Sequence, residues 1–157
     1  MKTRRSWREK LLDSKDLPRG VDMPARLGRK WGGGTVVIPA PIEVDRLLRQ
    51  VPRRRLAIIN DLRRTLAARH GADIGCPLTT GLFAVIAAHA ADEQERAGKK
   101  RITPYWRTLK AGGELNPKYP GGISCQKDRL EGEGHRVVRK GTRYFVADFD
   151  RALVRLR

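Results

Sequence analysis

The chain has 157 residues, enough for one domain with an appended arm and a modest core. Its 39% apolar content is too high for wholesale disorder, and no apolar run reaches the roughly 18 residues that a membrane-spanning helix requires. With 34 Lys and Arg against 17 Asp and Glu the net charge is +17, so the folded chain repels itself unless a polyanion is its partner, and nucleic acid is the expected one.

The opening MKTRRSWREK starts like the charged region of a signal peptide, but no apolar stretch follows it, so a cytoplasmic location is expected and no membrane partner. The two cysteines, Cys76 and Cys125, stand far apart without CxxC spacing. Neither a disulfide framework nor a metal site is expected, and no cofactor. Residues 1–34 are rich in Lys, Arg, Gly and Pro and read as a basic arm. Trp7, Leu11, Leu12 and Leu17 are its few anchoring points, with one short helix that either drapes on the domain or belongs to a disordered tail.

Thr35 to Ile38 is a short β-branched run stopped by Pro39 and Pro41. A helix is predicted from about Ile42, with Val44, Leu47, Leu48 and Val51 at i, i+3, i+4, i+7 spacing, and Pro52 ends it. Leu56 to Ile59 leads into Asn60, read as the N-cap of a helix from Asp61 to about Arg69 that buries Leu62 and Leu66 and stops at Gly71. Pro77 then opens a helix running to about Arg96, with Leu78, Leu82, Val85, Ile86 and His89 on one face, closed by Gly98. Two helices joined by a short glycine-containing turn suit a helix-turn-helix. Thr103 to Gly122, with three prolines and four glycines, reads as irregular. A short helix over Ser124 to Glu131 follows. Val137-Val138 and Tyr144 to Ala147 then flank Lys140-Gly141 as a hairpin with a basic tip, and a last short helix starts near Phe149.

Three ordered stretches resemble the alkylguanine-DNA alkyltransferases. They are Val51-Pro52-Arg53 with Leu62, then Thr79-Thr80-Gly81, then Pro104-Tyr105-Trp106-Arg107 through Tyr119-Pro120-Gly121-Gly122 to Glu133-Gly134-His135. The likeness covers about residues 35 to 135. It implies an α+β fold: the basic arm 1–34, then a winged-helix-like DNA-binding domain over 35–157 with a C-terminal hairpin. That family's mark is Pro-Cys-His-Arg, in which the cysteine is the nucleophile, activated through the neighbouring histidine and a later glutamate. Here Tyr105 and Trp106 stand at the cysteine and histidine positions, and only Glu133 remains. A phenol with pKa near 10 and an indole do not replace a thiolate–imidazole pair. Alkyl transfer by the family's chemistry is therefore not expected.

The chain in this respect is similar to the alkyltransferase-like branch, which binds alkylated double-stranded DNA, flips the damaged base and flags it for nucleotide excision repair. The resemblance implies a base pocket of Tyr105, Trp106, Arg107, Tyr119 and Glu133. It also implies DNA contacts from Leu78, Thr79 and Thr80, from Lys99, Lys100 and Arg101, and from Arg139 and Lys140 at the hairpin tip. The family's phosphate-rotating aromatic aligns with Ile59 and its base-replacing arginine with Leu78, which leaves Leu78 as a candidate apolar wedge.

Each residue also has a structural reading. Tyr105 and Trp106 either stack a flipped base or plug the ancestral pocket; Thr79 and Thr80 either bond phosphate or cap a helix. The Lys99–Arg101 run is either a phosphate contact or a solvated loop. Arg107 reads as structural, Glu133 as a helix-terminal acceptor, Cys76 as a small buried side chain and His89 as a core histidine. Two other functions stay open: a winged-helix regulator or architectural protein that recognises no lesion, and an alkyltransferase whose nucleophile has moved to Cys76 or Cys125.

Overall fold

Ser6 accepts a hydrogen bond from the Glu9 amide at 3.1 Å and so caps the first helix, α1 (Trp7–Leu12). The computed structural model describes residues 4–23 and 34–157; the rest of the basic arm, 1–3 and 24–33 with Gly32 and Gly33, lies outside the described residues. A six-residue helix is far too short to persist alone, so α1 owes its shape to docking. It lies against the long helix that begins at Pro77. Leu11 is buried, and Trp7 stacks on His89 with ring centroids 4.5 Å apart. The amides of Trp7 and Arg8 donate to the Glu93 carboxylate at 3.1 and 3.2 Å. That carboxylate satisfies two orphan donors and faces the positive end of α1.

Strand β1 (Arg19–Asp22) pairs antiparallel with β2 (Thr35–Ile38), Arg19 opposite Ile38, so the arm adds a strand to the domain. Pro41 then sits in the first turn of α2 (Pro41–Leu48), where its missing N–H costs nothing, and Glu43 reaches back to accept from the Ala40 amide at 3.0 Å. Val44, Leu47 and Leu48 are fully buried, as their helical spacing predicts; Val51, expected on the same helix, is buried beyond its end.

The next helix, α3 (Ile59–His70), begins earlier than the sequence suggests. Asn60 is not its N-cap. The preceding pair, β3 (Ala57–Ile58), is held extended by β5 (Thr108–Leu109) in a parallel ladder, so Ile58 takes the cap position and Asn60 falls inside the first turn. Leu62 and Leu66 are buried as expected, and Gly71 closes α3 in the left-handed conformation at φ 64°. The chain returns through β4 (Ile74–Gly75), parallel to β2, giving a three-stranded sheet in the order β1-β2-β4. Gly75 passes so close to α3 that a Cβ there would lie 2.6 Å from the Arg63 carbonyl oxygen. This contact and the bond from the Cys76 amide to Val37 O (2.9 Å) aim the start of α4 (Pro77–Arg96).

The buried face of α4 is the reverse of the predicted one. Thr80, Ala84, Ala87, Ala88, Ala90 and Ala91 form the packed stripe, while Leu78 is 83% and Leu82 55% exposed. Small side chains let the backbone of α4 approach α2 and α1 closely, and that choice depends on the neighbours, not on the period. The stretch expected to be irregular contains a 3₁₀ turn at Tyr105–Arg107, the β5 pair and a second turn at Ala111–Gly113. Helix α5 (Gly122–Gly132) follows, then the hairpin β6 (Val137–Lys140) and β7 (Arg143–Val146), with Val137 opposite Val146. A 3₁₀ turn at Phe149–Ala152 returns the chain to the core, where Leu56 and Val154 exchange backbone bonds with Ala152 and Leu56. The architecture is α+β, and no helix among the described residues is long and apolar enough to cross a membrane.

Because α1 is docked through Leu11, Leu11→Ala should lower stability by about 3 kcal/mol, a core-sized loss. Thermal or denaturant unfolding measures it; an unchanged midpoint would mean that α1 contributes nothing to the folded unit.

Candidate nucleic-acid interface

The residues of the family-like motif converge on one carboxylate. Glu133, at the C-terminal end of α5, accepts from the Trp106 indole N–H at 2.7 Å and from the Arg54 amide at 3.0 Å. The Arg107 guanidinium donates to it at 2.9 to 3.2 Å and also reaches the Val51 carbonyl at 2.9 Å. Burial favours the neutral acid, but the hydrogen bonds from Arg107, Arg54 and Trp106 outweigh it and hold the Glu133 carboxyl below the usual range. Its sequence neighbour His135 has a buried Nε2 with no hydrogen-bond partner, and burial lowers its pKa against the opposing pull of Glu133.

Tyr105 and Trp106 are 2% and 8% exposed. Tyr105 packs edge-on against both Trp106 and Tyr119, each with centroids 5.3 Å apart, and Arg129 lies 4.3 Å above the Trp106 ring. The ring expected to stack a base thus carries a guanidinium instead. Tyr119 donates its hydroxyl to the Thr108 carbonyl at 3.1 Å. Burial pushes the phenols of Tyr105 and Tyr119 up, so neither offers a phenolate.

The open space lies one ring further out. A groove of about 460 Å³ runs between α3, the first half of α4 and the loop 109–119. Ile59, Leu78, Leu82, Val85 and Tyr119 are its apolar walls; Asn60, Arg63, Lys110 and Lys118 are its polar ones. Of the five residues assigned to a base pocket only Tyr119 lines it; Tyr105, Trp106, Arg107 and Glu133 are packed behind it. Asn60 brings a buried side-chain oxygen without a hydrogen-bond partner. His89 is half-buried and its Nε2 lies 3.0 Å from the Lys118 carbonyl, so the α1–α4 stack also holds one wall of the groove.

The other predicted contacts divide. Leu78 stands exposed at the groove mouth, where a wedge would be needed. Thr80 is fully buried and Thr79 has a buried hydroxyl; both hydroxyls lack a partner, so neither caps the helix and neither is placed to bond phosphate. Cys76 occupies the N-cap of α4 without a side-chain bond. Lys99, Lys100 and Arg101 are exposed beyond the far end of α4, about 30 Å from Leu78 at 1.5 Å per residue, and Lys99 bonds Gln94 at 3.2 Å. At the hairpin tip Arg139 donates to the Gly141 carbonyl at 2.7 Å, and Lys140 lies 5.5 Å over Phe145. The hairpin meets the groove loop through Glu114, which takes two bonds from Arg143 at 2.6 and 3.0 Å and lies 3.8 Å from Lys110. The sequence reading missed Arg63, Lys110 and Lys118. Arg63 was within reach, since it stands one helical turn after Ile59, a position the resemblance had already marked.

Cys125 is exposed on α5, and neither cysteine lines the groove. Among the described residues no group of three His, Cys, Asp or Glu is placed to hold a metal ion.

No protein-family model and no curated protein sequence matches the chain. A solved structure does: S. pombe Atl1 in complex with damaged DNA containing O6-carboxymethylguanine, at 15% identity and a TM-score of 0.50, covering 73% of this chain and 93% of that one. A second structure, S. pombe ATL in complex with DNA, matches with the same identity and coverage at a TM-score of 0.49. The chain shares the fold of Atl1.

Since the folded pKa of Glu133 is below its unfolded value, its contribution is fully present above about pH 4.5 and is lost as pH falls through the lowered value. Glu133→Gln should therefore cost about 3 kcal/mol near pH 7, by leaving Arg107 without its charge partner. The gap to wild type should narrow below about pH 4.5. A gap that stays constant down to pH 3 would show that the charge is not the cause.

Proposed function

We propose that the chain is a non-catalytic protein that binds double-stranded DNA in the manner of the alkyltransferase-like proteins. The first half of α4 would lie in the minor groove, Leu78 would act as wedge, and an alkylated guanine turned out of the stack would enter the groove beside it. The observation that carries this reading is the exposed pair Leu78 and Leu82 on a helix whose other face is packed, set over a groove with cationic walls. Leu78 and Leu82, 83% and 55% exposed one helical turn apart, form an apolar patch beside the groove, and such a patch suits insertion between bases. Arg63, Lys110 and Lys118 supply charge for the flanking phosphates. The neighbouring fold of Atl1, solved with damaged DNA, supports the same assignment.

Catalysis is left out of this reading for a chemical reason. The Tyr105–Trp106 position carries no thiol and no imidazole, and neither Cys76 nor Cys125 lines the groove. Recognition would instead mark the lesion for nucleotide excision repair, on the nucleoid in the cytoplasm. A second reading, a DNA-binding regulator or architectural protein without lesion preference, is favoured by one observation: Tyr105 and Trp106 fill the space in which the family works.

Duplex binding should weaken steeply with salt, with log affinity falling at a slope near −4 to −5 for about five phosphate contacts. Leu78→Glu should weaken it at least about tenfold at fixed salt, because a carboxylate would face phosphates. A slope shallower than about −2 would show that phosphate contacts do not dominate, and an unaffected Leu78→Glu variant would remove α4 from the interface.

Lesion preference is tested by comparing O6-alkylguanine and guanine duplexes. Val85→Phe, which narrows the groove floor, should abolish the preference while leaving undamaged-duplex affinity within about twofold. Trp106→Ala should instead cost about 3–5 kcal/mol of stability, as a buried aromatic does, and lower both affinities together. Equal wild-type affinity for the two duplexes would decide for the regulator. A Trp106→Ala variant that keeps its stability but loses the preference would restore the aromatics as the base site.

A further inference from the structure

A second cleft, of about 650 Å³, lies between α3 and the segment 154–157, and Arg64, Arg69, Arg155 and Arg157 line it. Its position on α3 is set by helical geometry. At about 100° per residue, Thr65, Ala68 and Arg69 centre on the side of α3 away from Ile59, Asn60 and Arg63, which line the α4 groove, while Arg64 stands between the two sets.

The cleft is built rather than incidental. The side-chain amide of Gln50 clamps the backbone of Arg157, donating to its carbonyl at 2.9 Å and accepting from its amide at 3.0 Å. Leu156 is buried, so the flanking Arg155 and Arg157 are held outward. Arg64 pairs with Asp61, the carboxylate of the cleft, at 2.7 Å. Arg69 and Arg155 are exposed and have no ion-pair partner among the described residues. Guanidiniums recognise phosphate oxygens through paired hydrogen bonds, and those without an ion-pair partner have no carboxylate to give up first. The lining has no exposed aromatic or large apolar side chain of the sort that anchors a protein partner.

We propose that this arginine cleft docks the phosphate backbone of a second DNA duplex, so that one molecule bridges two DNA segments. The inference rests on the reading of the α4 groove as the first duplex site. It also gives a use to cationic side chains that lie outside the α4 groove.

The test uses the full chain and two 30-base-pair duplexes. One, biotinylated, is held on beads and saturated with protein; after washing, a fluorescent second duplex is offered. Wild type should capture it, and the double variant R69E/R155E should lower capture at least about tenfold. The same variant should bind a single duplex within about twofold of wild type and keep its melting temperature, since both positions are exposed. R69S/R155S should give an intermediate loss. Sedimentation at the working concentration should report a monomer. Capture that survives R69E/R155E, or that requires a dimer, overturns the proposal, and so does a parallel loss of single-duplex affinity, which would make the cleft part of the first site. Wild type that binds one duplex but captures no second overturns the bridge and leaves the α4 reading standing. Wild type that binds no duplex overturns both.

Discussion

The carboxylate of Glu133 holds together three stretches that are remote in sequence: the loop at Val51–Arg54, the turn Tyr105–Arg107 and the end of α5. The first two stretches bring donors that burial would otherwise leave unsatisfied, the third brings the acceptor, and a buried polar group without a partner is costly. Satisfying them at one acceptor fixes how α5 sits on the turn, and with it where Tyr105 and Tyr119 pack. Tyr119 is in turn a wall of the groove. The geometry of the proposed interface therefore descends from an interaction that never touches it. In the family that the sequence resembles, the glutamate at this position serves an activated cysteine. Here its partners are an indole N–H, a guanidinium and the Arg54 amide.

What was legible in the sequence follows the range of the interactions involved. Helices α2, α3 and α4 and the β6–β7 hairpin rest on local periodicity, caps and turn residues, and they appear where those signals stand. The 3.6-residue period placed Leu62 and Leu66 in the core, because leucine on α3 has no competitor for that face. On α4 the same period admits two faces, one of leucine, valine and isoleucine and one of alanine. The neighbours selected the alanines, because α1 and α2 press too closely for anything larger. The two-residue pairings β2–β4 and β3–β5 leave no trace in sequence, since each joins segments whose approach is decided by packing. The displaced start of α3 is a direct result of one of them.

The motif at Tyr105–Arg107 carried the resemblance but not the location of the open site. Substituting a large aromatic for a small catalytic side chain fills space, and residue identity alone does not say whether the new ring lines a cavity or occupies it. Volume and hydrogen bonding decide: the Trp106 indole finds its acceptor behind the groove, and the ring follows its N–H inward. The basic residues behave similarly. Lys99–Arg101 form a run of three consecutive basic residues, yet they stand at the far end of α4, whereas the isolated Lys110 and Lys118 flank the groove.

The uncovered leucines at the start of α4 set a colloidal problem as well as a binding opportunity. In the free protein Leu78 and Leu82 offer an apolar tip to any other copy of the chain, and the only general force opposing that encounter is the repulsion between two bodies of charge +17. That repulsion has a range of about 10 Å at 0.1 M ionic strength and about 3 Å at 1 M. If the proposed complex forms, added salt would strip the protein of its polyanion and of its protection from itself in the same step. Solubility and occupancy would be coupled through one electrostatic variable, and the bound state would also be the state in which the sticky tip is covered.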